Sequence, residues 1–326
     1  MLYALFVFSV FCPIYTYVLY PLILKCLTEK SNIIINYNII ERNTLKSHNE
    51  FITVIVIGKN GKTKADTIKR TGIDAIWADQ ITESINKTAK GKIILFTDDK
   101  AQLDEDAITE IIKPFADERI GCVVGQQTNP EGNSMFWKYE NIVKRLESRF
   151  GCVSGVTASI FAVRKKDLPI VPDYVLNKPF YIATAITQAG KVNVYQPSAI
   201  AYERKTGGIN FDKHVQEATG YWQALRLFFK MLLPINKGNF VYISHRVMKW
   251  FVWLNMILIF IISGVLASDS EFMASSFYCQ VITYLVVLLL GRKTIYGILG
   301  KALSSCYYFI MLNVSYFLGL FKLFGW

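Results

Sequence analysis

The sequence has no cysteine pattern that reads as a pairing. Its six cysteines stand at 12, 26, 122, 152, 279 and 306. Cys12, Cys26, Cys279 and Cys306 lie in apolar runs, and Cys122 and Cys152 in a part read as cytoplasmic. They read as reduced packing residues, which excludes a disulfide framework and a zinc ligand set. There is no internal repeat and no low-complexity tract. The start lacks a basic segment and a small-residue cleavage site, so its first apolar run reads as an anchor and not as a removed leader. Residues 2–24 carry no charge, and the first charged side chain is Lys25. A module combining aromatic and basic residues, as nucleic-acid binders use, is also missing, so the net charge of +11 calls for another explanation.

What the sequence does have is apolar length at both ends. The hydrophobic fraction is 52% and the mean hydropathy +0.29. Residues 2–27 exceed the roughly 20 residues that cross a hydrocarbon core of about 30 Å. Toward the C-terminus, residues 250–267, 277–290 and 294–317 form three further runs, the last containing Lys301. The positive-inside rule then sets orientation. Lys25, Lys30 and Arg42 follow the first run, His245, Arg246 and Lys249 precede the second, and Arg292 with Lys293 separates the third from the fourth. All belong on the cytoplasmic side, leaving Asp269 and Glu271 outside. The expected domains are a membrane helix at 1–27, a linker at 28–50, a cytoplasmic domain at 51–210, interface helices at 211–249 and about three membrane helices at 250–326.

The cytoplasmic part alternates strand and helix. ITVIVIG (52–58), IDAIWAD (73–79), KIILF (92–96) and IGCVVG (120–125) read as strands. ADTIKRTG, QITESINKTAKG and DEDAITEIIKPFAD read as the helices between them. This predicts an open, mostly parallel α/β sheet, whose ligands bind outside the carboxyl ends of the strands. Asp98 and Asp99 sit at such an end, where carboxylates suit a hydrated divalent cation and the diphosphate it carries. Lys100 follows, a cation where a third oxygen ligand would be expected. Further on, residues 135–151 read as a long amphipathic helix and the DYVLNKPFY segment opens another. KVNVYQPSAIAYER reads as an edge-like strand pair, and residues 210–234 as a helix at the membrane interface.

YTYVLYPLIL, ILFTDDKAQLDEDAI, GCVVG, FWKYENIVKRLES, SGVTASIFAVRK, GKVNVYQPSAIAYE, GYWQAL and SHRVMKW, in that order and spacing, resemble the membrane-integrated, inverting family 2 glycosyltransferases. Relatives of that type make cellulose, hyaluronan and poly-N-acetylglucosamine. The resemblance implies a GT-A-like domain between one N-terminal and about three C-terminal membrane helices. It implies transfer of a sugar from a nucleotide-sugar donor, UDP-sugar favoured, to a glycan acceptor, with Mg or Mn bound. It also marks departures. One strand–helix unit of the nucleotide half is missing, and Asn60 stands where a base- or ribose-binding Asp is expected. Lys100 replaces the last metal ligand, and Asn177-Lys178 replaces the acidic pair that holds the general base. The interface helix keeps Trp222 but offers Lys213, His214 and Gln216 in place of arginines.

Each candidate carries two readings. Asp98 and Asp99 hold a metal, or they cap the following turn. Lys59, Lys100 and Lys178 bind an anion directly, or they are solvated. Asp173 is a displaced base, or it caps a turn after Pro172. Glu140 and Glu147 line an acceptor groove, or they form a solvated helix face. Trp137 and Trp222 stack on sugar rings, or they pack. His245 anchors the chain at the membrane edge or meets a lipid phosphate. Three functions follow from this. The first is a membrane glycosyltransferase of polysaccharide or cell-surface glycan synthesis at the plasma (inner) membrane. The second is a catalytically impaired homologue acting as partner or regulator of an active synthase; the expected protein partner is a second synthase subunit or a further copy in a homo-oligomer. The third is a membrane module binding glycan or lipid phosphate. None involves nucleic acid.

Overall fold

The computed structural model describes residues 1–29, 52–129, 135–203, 210–291 and 297–325. The expected linker beyond residue 29, together with Lys30, Arg42, Arg292 and Lys293, lies outside the described residues. The chain opens with one continuous helix, Leu2–Glu29, made of α1 (Leu2–Ile14), a π-helical turn (Tyr15–Leu19) and α2 (Tyr20–Glu29). Then come β1 (Ile52–Ile57), α3 (Lys62–Arg70), β2 (Asp74–Ala78), α4 (Ser84–Thr88), β3 (Ile93–Asp98), β4 (Gln102–Leu103), α5 (Ala107–Ile112) and β5 (Ile120–Thr128). The second half has α6 (Met135–Phe150), β6 (Phe161–Arg164), α7 (Lys178–Gln188), β7 (Val192–Tyr202) and α8 (Phe211–Leu227). It ends with α9 (Lys237–Val241), a second π-helical turn (Tyr242–Val247), α10 (Met248–Trp250), α11 (Val252–Val265), α12 (Glu271–Leu290) and α13 (Gly297–Leu323).

The α/β sheet is borne out, with strand order β2-β1-β3-β6-β5-β7-β4. Its pairings divide evenly. β1 runs parallel to β2 and β3, and β5 to β7, while β3–β6, β5–β6 and β4–β7 are antiparallel. The sheet is therefore mixed, because β6 enters between β3 and β5 without a crossover. Alternation explains the layers. Ile52, Val54 and Val56 of β1 and Ile93 and Leu95 of β3 face α3 and α5. Ile55, Ile94 and Phe96 face the opposite core, with Ile85 of α4 and Ile182 of α7.

Three expected elements differ. The helix read over 80–91 shrinks to α4, because its flanks are tied to other parts of the chain: Lys178 Nζ donates to Ile81 O at 2.7 Å, and the Gly91 amide to Thr53 Oγ1 at 2.8 Å. The expected edge strand pair is one strand, β7, lying one place in from the edge and shifted in register opposite Gly125–Gln126. The first C-terminal run forms only the 14-residue α11, joined to residues 237–250 across a 49° bend. Among the described residues three helices are long and apolar enough to span a membrane (Leu2–Glu29, α12 and α13), and the bent pair makes a fourth if counted as one span.

Candidate functional site at the carboxyl edge of the sheet

Register brings the carboxyl ends of β1, β2 and β3 level, with Ile57 opposite both Ala78 and Asp98. The chain leaves β1 through Gly58 at φ 126°, a conformation that disfavours a side chain. The absent side chain has a second consequence: a Cβ there would lie 2.4 Å from Asp99 Cγ. The Gly58 turn is therefore the seat of the Asp99 carboxylate. Asp99 N donates to Ile57 O at 2.8 Å, and the Asn60 amide returns a bond to Asp99 Oδ2 at 3.0 Å. Trp77, at the end of β2 and 39% exposed, is fixed beside the turn by its indole N–H donating to Gly58 O at 2.7 Å.

Beneath this pair lies Lys64, in the first turn of α3. Its ammonium donates to Thr97 Oγ1 at 2.8 Å, to Asp98 O at 2.7 Å and to Ala101 O. Burial lowers its pKa to about 8, against the opposing pull of Asp98, Asp99 and Glu203. Asp98 and Asp99 act on each other, Asp99 raising Asp98 and Asp98 lowering Asp99. Burial, then Asp99 and Glu203, push Asp98 up, opposed by the Lys100 amide that donates to Asp98 Oδ1 at 2.9 Å. Burial also works to raise Asp99, but the Asn60 amide, Asp98 and Lys100 outweigh it and hold Asp99 low. Two adjacent carboxyls whose affinities for a proton are pushed apart in this way form a pair whose mutual repulsion a divalent cation would relieve. Among the described residues no three His, Cys, Asp or Glu side chains converge as a ligand set. Asp98 and Asp99 therefore fit a cation that takes its remaining oxygens from a diphosphate and water, as Mg²⁺ sites commonly do.

Glu203, just past β7, completes the site from the other half of the sheet. Its Oε2 accepts from Gln127 Nε2 at 2.6 Å and Ser159 Oγ at 2.8 Å. Lys213, in the first turn of α8, lowers Asp98 by its charge. A cavity of about 600 Å³ lies between α3 and α5, and Lys64, Asp99, Lys100, Leu103 and Ile108 are among its lining residues.

The other expected residues go elsewhere. Lys59 and Lys100 are exposed around the acid pair, but Lys178 is buried and holds Ile81 O. Asn177 caps α7 by accepting from the Phe180 amide at 3.2 Å. Asp173 is exposed on the loop before it, where its charge is felt by Lys178. Trp137 is half-buried near the start of α6. Trp222 is 3% exposed, donates to Tyr316 O at 2.8 Å and meets Phe251 edge-on at 5.1 Å. The sugar contact expected of it has no free ring face to use.

Glu140 and Glu147 are neither a groove nor a solvated face. They sit buried in an ionic cluster with Lys144, His245, Arg246 and Lys249. Lys249 Nζ donates to Glu140 Oε1 at 2.5 Å, and Glu147 accepts from His245 Nδ1 at 2.6 Å, from Tyr20 OH at 2.9 Å and from the Ser154 amide at 2.9 Å. His245 is thus an interior residue and not a membrane-edge anchor. Burial alone would raise Glu140, but Lys249, His245 and Arg246 hold it well below the usual carboxylate range. The expected acceptor role of Glu140 gives way to a structural one: Glu140 ties α6 to the bent helix pair through Lys249, and Glu147 ties it to the N-terminal helix through Tyr20.

Lys64, Trp77 and Glu203 were missed as site residues. Lys64 carries a faint signal, a lysine opening a helix straight after a glycine turn. Trp77 and Glu203 have none beyond a place near a strand end.

No family model matches the chain, and no curated protein is similar to it in sequence. Among solved structures, the mannosyltransferase PcManGT from Pyrobaculum calidifontis, in complex with GDP-Man and Mn²⁺, is similar over 97% of this chain and 99% of its own. The TM-score is 0.65 at 15% identity. Glucosyl-3-phosphoglycerate synthase from Mycobacterium tuberculosis, in complex with phosphoglyceric acid, is similar over 60% of this chain and 85% of its own, with a TM-score of 0.39 at 11% identity. At these identities the likeness is one of fold, and the fold is that of the GT-A glycosyltransferases.

Proposed function

We propose that this protein is a membrane-bound glycosyltransferase that moves a sugar, with inversion, from a nucleotide diphosphate donor to a glycan acceptor in polysaccharide or cell-surface glycan synthesis. The observation that carries the reading is the Asp98–Asp99 pair, seated on Gly58 at the carboxyl edge of the sheet and braced from below by Lys64. When bound, Mg²⁺ or Mn²⁺ supplies neutralisation of the charge that develops on the departing diphosphate. Asp98 and Asp99 would hold that cation. Asn60 and Trp77 flank the turn where the nucleoside would lie, and Lys59, Lys100 and Lys213 add positive charge around the diphosphate. UDP-sugar is the favoured donor. The sheet domain faces the cytoplasm at the plasma (inner) membrane.

The acceptor side supports a second reading, an impaired homologue that binds donor and accompanies an active synthase. Asn177 and Lys178 occupy the place expected for the general base, and both are engaged in holding α7. Asp173 is the remaining acid of that loop. Without a base, the rate falls by about 10² to 10⁴.

One experiment separates the readings. The purified full chain is incubated with UDP- and GDP-sugars and a glycan panel, with and without Mn²⁺, and nucleoside diphosphate release is followed. Metal-dependent release that Asp98→Asn abolishes supports transfer. Metal-dependent binding without release supports the impaired homologue. Release that survives Asp98→Asn overturns the assignment of the acid pair.

A further inference from the structure

By length and composition α13 qualifies as a membrane span. Its neighbours argue otherwise. The other apolar helices define an axis with two distinct ends. At one end Tyr20 of α2 bonds Glu147 of the sheet domain, and Phe251, just before α11, meets Trp222 of α8. At the far end Phe6 packs with Ile262, Leu266 and Met273, and lies 6.5 Å from Phe272. Between these ends α11 and α12 run side by side, with Phe260 5.1 Å from Phe277 and Gln280 donating to Ser263 Oγ at 3.1 Å.

Successive stretches of α13 touch three different helices, each near the level where Tyr20 and Phe251 meet the sheet domain. A Cβ on Gly291, at the close of α12, would lie 2.6 Å from Tyr307 Cβ and 3.1 Å from Leu303 O. Phe309 lies 5.6 Å from Tyr17, one turn before Tyr20. Phe317 lies 5.0 Å from Trp253, in the first turn of α11. From 303 to 317 a helix advances about 21 Å. That advance is made near one level of the bundle, from Gly291 at the close of α12, past Tyr17, to Trp253 at the start of α11. A helix running down beside them would meet each at changing depth.

The other side of α13 rests on α8, a helix of the polar domain that carries Asp212, Lys213 and Glu217. The Tyr308 ring is 5.7 Å from His214, and Tyr316 O accepts from Trp222. Gly319 allows a close crossing, since a Cβ there would lie 2.8 Å from both Ala218 Cβ and the Thr219 nitrogen. Ile298, Leu299, Leu318 and Phe321 remain exposed on α13, together with Lys301 and Lys322. Apolar side chains with lysines among them suit the boundary between acyl chains and headgroups.

We propose that α13 lies flat in the interfacial layer on the same side as the sheet domain, with the bilayer surface as its partner. The proposal goes beyond sugar transfer and does not depend on it. In this position α13 closes the membrane-facing side of the space between α6 and α8, where Tyr308 also lies 5.2 Å from Phe136.

The test uses the full chain in sealed vesicles of both orientations, with one epitope after Trp326 and a second in the exposed turn at Glu118. The expected result is that an impermeant protease removes both epitopes from the same vesicle population. Removal from opposite populations overturns the proposal. A depth measurement gives an independent check. Cys26 and Cys279 are replaced by Ser, the buried cysteines are kept, and a label is placed on Cys306 or, with Cys306→Ser, on Leu318→Cys. A flat helix puts both labels at similar depth, whereas a span separates them by about 18 Å. A separation of that size also overturns the proposal.

Discussion

Gly58→Ala puts the seat of the acid pair to the test. The new methyl would lie 2.4 Å from Asp99 Cγ and 2.6 Å from each of its oxygens, while ordinary contact begins at 3.4 Å. The carboxylate must therefore retreat by about 1 Å, or the turn must open by as much, if the site is to reach ordinary packing. The φ of 126° adds backbone strain of about 1–3 kcal/mol for any residue with a side chain. A retreating carboxylate gives up the Asn60 amide bond, a charge-assisted contact of about 1.5–3 kcal/mol. If about 2 kcal/mol of this is lost from cation and diphosphate binding, affinity falls roughly 30-fold. The assay is calorimetric titration of the full chain with UDP or GDP in the presence of Mn²⁺, with far-ultraviolet circular dichroism to confirm that the sheet is intact. Wild-type affinity within twofold, in a folded variant, would refute the claim that Asp99 must stand against Gly58 for the donor to bind.

Lys64 gives a pH signature. Its folded pKa of about 8 lies below the ordinary 10.5, so the unfolded chain binds more protons between those values. Its contribution to stability is complete above pH 10.5 and is lost as pH falls through about 8, a swing of about 3 kcal/mol. Melting curves from pH 7 to 10.5 should show this rise in wild type and a flatter profile in Lys64→Met; equal slopes would reject the assignment. In the ionic cluster, Glu140→Ala strands Lys249 in the interior and should cost about 3–5 kcal/mol, with much of it recovered in Glu140→Leu/Lys249→Met. Additive losses in chemical unfolding of the double variant would show that the pair is not coupled. Chelation of divalent cations by EDTA should abolish nucleotide binding and leave the melting temperature of the nucleotide-free protein unchanged; retained binding would remove Asp98 and Asp99 from a metal role.

The central strands were legible because buried strands demand continuous β-branched runs, and ITVIVIG, KIILF and IGCVVG supply them. The position of Asp98 and Asp99 followed, since strand ends align in a sheet. The shape of β7 was not legible. Pro197 and Ser198 read as a break between two strands, whereas a register shift against β5 absorbs them within one. The charges of α6 misled for a different reason. Glu140, Lys144 and Glu147 share one helix face, and such a row usually meets water. Their partners, His245, Arg246 and Lys249, lie about a hundred residues away, so only the tertiary fold could bring them together. Composition marks α13 as apolar enough to span, but reports nothing of which way the helix points.

One row of contacts at the carboxyl edge has a mechanical meaning. Lys64 bonds Thr97 Oγ1, Thr97 bonds Ser159 O at 2.9 Å, Ser159 bonds Glu203, and Glu203 bonds Gln127. The row crosses β3, the entry to β6, β7 and β5 without a gap, like a tie-beam along the rim of the sheet. A rim tied in this way resists the sliding of one strand past the next. If the proposed donor binds here, any widening that admits it must come from the opposite bank, where α8 carries Lys213, whose charge acts on Asp98.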